Sequence, residues 1–113
     1  MHEVGIMQNA VQMAVEQAKA QNARKIHCLR MRVGQMSGVV PEALEFAFEV
    51  VARGTMAEGA KLEVEWVKTA VWCKRCQTEF ECEDYSAICP ICGDWSSDWR
   101  RGRELELVSI EIS

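Results

Sequence analysis

The sequence predicts an α+β fold: a small sheet with two helices, plus an inserted zinc-ribbon-like lobe held by four cysteines. Three observations carry this expectation. Apolar residues recur at the helical period in two segments, Val4 to about Gln21 and Pro41 to Gly54. Three other segments, from Lys25, Leu62 and Glu104, read as strands. Between the last two strands lies a stretch with two Cys-x-x-Cys pairs and no sustained period.

In the first helix Val4, Met7, Val11, Ala14, Val15 and Ala18 form one stripe, with Gln8, Gln12, Glu16, Gln17 and Lys19 between them. The strand Lys25–Val33 breaks its alternation between Cys28 and Leu29, which a bulge or burial on both faces explains. Gly34 and Ser37-Gly38 mark a loop. Pro41 then fits a first helical position with Glu42 in the first turn. Leu44, Ala47, Phe48 and Val51 form the second stripe, and Gly54 stops it. Leu62, Val64 and Trp66 alternate with Glu63, Glu65 and Val67 as a half-buried strand. The final strand carries Leu105, Leu107, Val108, Ile110 and Ile112. The expected organisation is a body over residues 1–71, completed by the C-terminal strand 102–113, with residues 72–101 as the inserted lobe.

Composition narrows the function. Apolar residues make up 49 % and charged residues 27 % of the 113, as in ordinary globular proteins. A net charge of −4 argues against nucleic acid or an anionic membrane as partner. No apolar run has the length of a membrane span, and the start lacks a basic n-region and an h-region. A cytoplasmic location is therefore expected, where six cysteines read as metal ligands or thiols rather than disulfides. There is no glycine-rich phosphate loop and no catalytic constellation, so the chain is not expected to be an enzyme.

The cysteine spacing is Cys73-Lys74-Arg75-Cys76, twelve residues, then Cys89-Pro90-Ile91-Cys92-Gly93. Two residues between paired cysteines let a tight turn aim both sulfurs at one ion, and two such turns complete a tetrahedron. A lobe of about thirty residues buries too little apolar surface to fold unaided. Bound zinc contributes roughly 10–16 kcal/mol to such folds. Four thiolates leave no open position, so the ion is structural. A rubredoxin-like iron electron carrier is one alternative, because Cys89-Pro90-Ile91-Cys92-Gly93 has the form of half such a site; Cys73 to Gln77 lacks the matching glycine. A zinc-ribbon adaptor for protein interactions is the other. Within the lobe Lys74, Arg75, Arg100, Arg101 and Arg103 face a slight excess of acidic residues, a poor footprint for phosphates. Cys82 reads as a thiol outside the metal site, Cys28 as a buried apolar residue, and Trp72, Trp95 and Trp99 as packing residues first and partner surface second.

The amino terminus, Met1-His2-Glu3, has two readings from position alone: an incidental exposed histidine, or a chelate. In the chelate reading the terminal amine, the His2 backbone nitrogen, its ring nitrogen and the Glu3 backbone nitrogen would bind one ion in a plane. That geometry suits Ni(II) or Cu(II), not tetrahedral zinc.

Met1-His2-Glu3, the stretch Gly54-Thr55-Met56-Ala57-Glu58-Gly59-Ala60-Lys61-Leu62, the two cysteine knuckles and the ending Ser109-Ile110-Glu111 together resemble the HypA/HybF family, nickel metallochaperones of hydrogenase maturation. The resemblance runs along the whole chain in order. It implies nickel carried by Met1 (amine), His2 (ring and backbone) and Glu3 (backbone, with its carboxylate a further donor), and structural zinc held by Cys73, Cys76, Cys89 and Cys92. It also implies partners: a nickel-handling GTPase chaperone of the HypB type and the hydrogenase large-subunit precursor, with urease accessory proteins in some relatives. Val39 and Val40 stand where some relatives carry an acidic residue, so no nickel ligand is expected from that loop.

Overall fold

The computed structural model describes residues 2–83 and 86–113. In chain order the elements are α1 (Glu3–Ala20), β1 (Ile26–Gly34), α2 (Pro41–Ala52), β2 (Lys61–Val67), β3 (Ala70–Cys73), β4 (Thr78–Glu81), β5 (Trp99–Arg101) and β6 (Leu105–Ile112). They form two three-stranded sheets, ordered β2-β1-β6 and β4-β3-β5. The α+β class expected from periodicity holds: two helices, small sheets and four cysteines drawn together. The chain divides into two compact units. One comprises Met1–Arg32, Val39–Glu65 and Glu106–Ser113; the other comprises Val33–Gly38 and Trp66–Leu105.

In the first unit α1 and α2 pack on each other. Met7, Ala10, Val11, Ala14 and Ala18 of α1, with Leu44, Ala47, Phe48 and Ala52 of α2, are buried at the helical period, whereas Val4, expected in the first stripe, is 49 % exposed in the first turn and Val15 and Val51 are half-buried. Small alanines at five of the nine buried positions allow close approach of the helix axes. In β1 the buried set shifts from Ile26 and Cys28 to Leu29, Met31 and Val33, which is the break visible in the sequence. The half-buried Arg30 and Arg32 each bridge two glutamates: Arg30 to Glu63 and Glu111, Arg32 to Glu65 and Glu106. β2 departs from expectation at its end. Leu62 and Val64 are half-buried, but Trp66 is 43 % exposed and the alternation ends there, with Val67 half-buried instead.

The second unit is built on β3, which pairs antiparallel with β4 and β5. Val71, Phe80 and Ala87, together with Cys73 and Cys89, form its small core, and Trp99 packs against it. Thr69 is fully buried, yet its hydroxyl has no hydrogen-bond partner among the described residues. An unsatisfied buried hydroxyl is destabilising relative to an apolar group of the same shape. Thr69→Val is therefore expected to stabilise the protein by about 1 kcal/mol. Denaturant unfolding checks this; a variant less stable than the parent would show that the hydroxyl is satisfied in solution.

Candidate metal centre

Two backbone turns of the same design build the centre. In the first, β3 ends at Cys73 and β4 begins at Thr78, its register partner. The Gln77 N–H donates to the Cys73 carbonyl at 2.8 Å and the Cys76 N–H points at Cys73 Sγ at 3.4 Å. In the second, Ile88 and Trp95 form an antiparallel bridge. Within it the Gly93 N–H donates to the Cys89 carbonyl at 2.9 Å and the Asp94 N–H points at Cys92 Sγ at 3.5 Å.

Each turn needs a left-handed residue after its second cysteine. Gly93 supplies it at φ 76°, as glycine does without steric cost. In the first turn Gln77 takes the same role at φ 56°, and its side-chain amide donates to the Lys74 carbonyl at 3.1 Å. The missing glycine noted in the sequence thus does not change the turn. The signal that finds Gln77 is its register with Gly93 when the two knuckles are laid side by side.

The four sulfurs converge. Cys73 Sγ lies 3.6 Å from Cys92 Sγ, Cys89 Sγ lies 3.9 Å from Cys76 Sγ, and all four fall within 4.8 Å of one another. These spacings are far beyond a disulfide bond of about 2.05 Å. A tetrahedron with metal–sulfur bonds of about 2.3 Å has edges of about 3.8 Å, so the cluster matches that size. Cys73 and Cys89 are buried; Cys76 and Cys92 are half-buried. Cys82 packs against the same core but is not among the converging sulfurs.

Burial and the neighbouring sulfurs of Cys92, Cys89 and Cys73 push the Cys76 thiol up to about 12. The backbone N–H of Cys92, helped by that of Ile91, pulls Cys89 down to about 7 against the effect of its burial. One sulfur is thus poised as a thiolate while another holds its proton until a cation compensates four crowded negative charges. The donor set fits a soft, tetrahedral ion.

The surroundings of the knuckles separate the tryptophans. Trp72 lies under the Arg100 guanidinium at 4.9 Å, and Arg103 covers Trp99 at 5.1 Å. Trp95 is not a packing residue: it is 66 % exposed, and both its bridge partner Ile88 and Ile91 are exposed too. Arg100 pairs with Asp98 and Arg101 with Glu79, each at 2.9 Å or less.

The amino terminus is a separate location in the chain. Met1 lies outside the described residues. His2 is exposed at the N-cap of α1, and its carbonyl accepts the Ile6 N–H at 3.1 Å. Glu3 opens the helix, and its carboxylate accepts the Val40 N–H at 3.1 Å. That hydrogen bond holds the Glu3 carboxyl below its ordinary range. The link between Glu3 and the loop before α2 is invisible in the sequence, because Val40 contributes a backbone N–H that every residue but proline carries.

Similarity to known proteins covers the whole chain. The family model described as "Hydrogenase/urease nickel incorporation, metallochaperone, hypA" matches residues 1–112. A hydrogenase maturation factor HypA from Picosynechococcus is 48 % identical over 112 residues, covering 99 % of each chain. One from Geobacter sulfurreducens is 38 % identical with the same coverage. Among solved structures, a solution structure of a HypA protein superposes with a TM-score of 0.71 at 25 % identity, covering 100 % of this chain and 97 % of that one. The Ni metallochaperone HypA from Helicobacter pylori shares the fold, with a TM-score of 0.67 at 24 % identity over 99 % of this chain and 97 % of that one.

Proposed function

The chain belongs to the HypA family of hydrogenase/urease nickel-incorporation metallochaperones, and from that premise we propose that it binds Ni(II) at its amino terminus and delivers it to the hydrogenase large-subunit precursor. The observation that carries the reading is the setting of His2. It is exposed at the N-cap of α1, where the first-turn N–H groups have no intrahelical acceptors. The backbone nitrogen of His2 is therefore available to a metal, together with its ring and the Met1 amine, and the Glu3 backbone nitrogen, whose N–H otherwise faces its own carboxylate, completes the set. Four nitrogens in a plane select Ni(II) over zinc by geometry. The partial positive charge at a helix N-terminus also favours the deprotonated amides that such a chelate needs. Glu3 contributes its backbone nitrogen, while its carboxylate anchors the terminus to Val40.

In this reading zinc occupies the four cysteines, Cys73, Cys76, Cys89 and Cys92, as a resident structural ion, and nickel is cargo. The two sites sort metals by donor type: thiolate sulfur in a tetrahedron against nitrogen in a plane. An exposed terminal chelate is open to ligand exchange, so a partner removes the metal without unfolding the protein. A GTPase chaperone of the HypB type supplies the energy-using step, and the protein acts as a carrier rather than a catalyst.

The test is nickel titration by calorimetry and visible absorption on protein with an untagged native amino terminus. His2→Ala removes the ring nitrogen and breaks the fused chelate, so nickel affinity is expected to fall at least about a hundredfold, with zinc content unchanged. The exposed Trp95, Ile88 and Ile91 favour a second reading, a zinc-ribbon adaptor without a nickel role. Nickel binding that survives His2→Ala intact would select the adaptor.

A further inference from the structure

We propose that the outer face of α2 is a docking surface for a basic amphipathic segment of a partner protein. α2 buries Leu44, Ala47, Phe48 and Ala52. Its opposite side carries Glu42, Glu45, Phe46, Glu49, Val50 and Arg53, spaced so that all six share one face of the helix. An ordinary surface helix is polar there. Here Phe46 is 66 % exposed and Val50 39 % exposed, and Val40 at the N-cap is 52 % exposed.

The charge around these side chains identifies the occupant. Glu42 and Glu45 make no ion pair among the described residues. Glu49 meets Arg53 only loosely, at 3.8 Å with both side chains well exposed. Three carboxylates and one guanidinium therefore frame an aromatic anchor. A helix with apolar residues at i, i+3, i+4 and i+7 and flanking lysines or arginines complements both features. A second copy of the chain does not. A two-fold contact through this face sets the same glutamates against each other, in a chain whose net charge is already −4.

The stripe begins beside the clamp on the amino terminus, since the Val40 N–H is the group that holds the Glu3 carboxylate. A partner seated on α2 is thus placed next to the proposed nickel chelate. That consequence rests on the nickel reading; the docking surface itself rests on exposure and charge.

The test is chemical-shift mapping on the zinc-loaded full chain, titrated with a Leu/Lys amphipathic peptide of about five helical turns and with its Leu/Glu counterpart. The expected result is perturbation centred on residues 42–53 by the lysine peptide, weakened by salt and absent with the glutamate peptide. Phe46→Ala is expected to weaken binding about tenfold, which separates an anchored contact from diffuse charge attraction. Glu45→Lys with Glu49→Lys is expected to reverse the preference between the peptides. Shifts centred on the sheet glutamates, or binding unchanged by Phe46→Ala, overturn the proposal. So does a dimer in sedimentation equilibrium that Phe46→Ala abolishes, because the occupant is then a second copy. His2→Ala, which removes the nickel chelate, is expected to leave peptide binding unchanged, so the two readings fail separately.

Discussion

Cys76→Ser and Cys89→Ser are each expected to lose the bound metal and to melt the β3–β4–β5 unit while the α1–α2 pair stays helical. The unit's apolar core consists of little more than Val71, Phe80, Ala87 and the cysteines themselves. A core of that size does not offset the chain entropy of ordering forty or so residues. In the proposed reading a structural zinc ion closes the balance, since its roughly 10–16 kcal/mol is comparable to the whole stability of a typical domain. Serine keeps the shape of the side chain but does not supply a thiolate at neutral pH, so one vertex of the tetrahedron is lost. Metal analysis should show substoichiometric zinc, and amide spectra should lose dispersion for the second unit, Val33–Gly38 and Trp66–Leu105, and keep it for the first. Cys82→Ser is the internal comparison. Its sulfur is not among the converging four, so metal content should stay stoichiometric. Well-dispersed spectra for the β3–β4–β5 unit in Cys89→Ser after chelator treatment would show that the core suffices alone.

Gly34→Ala is expected to cost more than about 4 kcal/mol, an effect larger than most single substitutions produce. A Cβ at Gly34 would lie 2.1 Å from both the carbonyl carbon and the oxygen of Gly102, and 2.5 Å from the Arg103 nitrogen. These are backbone atoms, so no rotamer change relieves the clash. The hydrogen bonds on either side, Gly34 N–H to the Glu104 carbonyl and Met36 N–H to the Gly102 carbonyl, are both 2.7 Å long and hold the segments together. Separating them to admit a methyl group sacrifices this pairing. Gly102 cannot move away, because it is packed on Thr69: a Cβ there would approach Thr69 Cα to 2.8 Å, and its φ of 116° is closed to other residues. Denaturant or thermal unfolding of Gly34→Ala measures the cost. A loss below 1 kcal/mol would mean that the close approach does not persist in solution.

Gly34 also shows where reading along the chain stops. Its sequence context marks a loop, and the structure places it at the last position of β1, in contact with a segment some seventy residues away. Nothing near Gly34 in the sequence names Gly102 as its neighbour. Gln77 is a similar case. The residue type argues against a left-handed conformation, but the metal turn around Cys73 and Cys76 imposes one. Strands β3, β4 and β5 also escaped the period test. They are three or four residues long, shorter than the window in which alternation is measurable, and the pairing that stabilises them is made between segments.

The sequence by itself determined the class of fold, both helices with their buried stripes, and the four cysteines that converge. Each of these is written in spacings of a few residues, because helix periodicity and the Cys-x-x-Cys turn are local geometry. The tertiary structure alone decided which side chains the surface presents and which backbones touch. It left Trp95 and Phe46 open to solvent, tied Glu3 to Val40, and pressed Gly34 against Gly102. Those outcomes depend on which elements lie side by side, and that follows from burial summed over the whole chain rather than from any neighbouring residue.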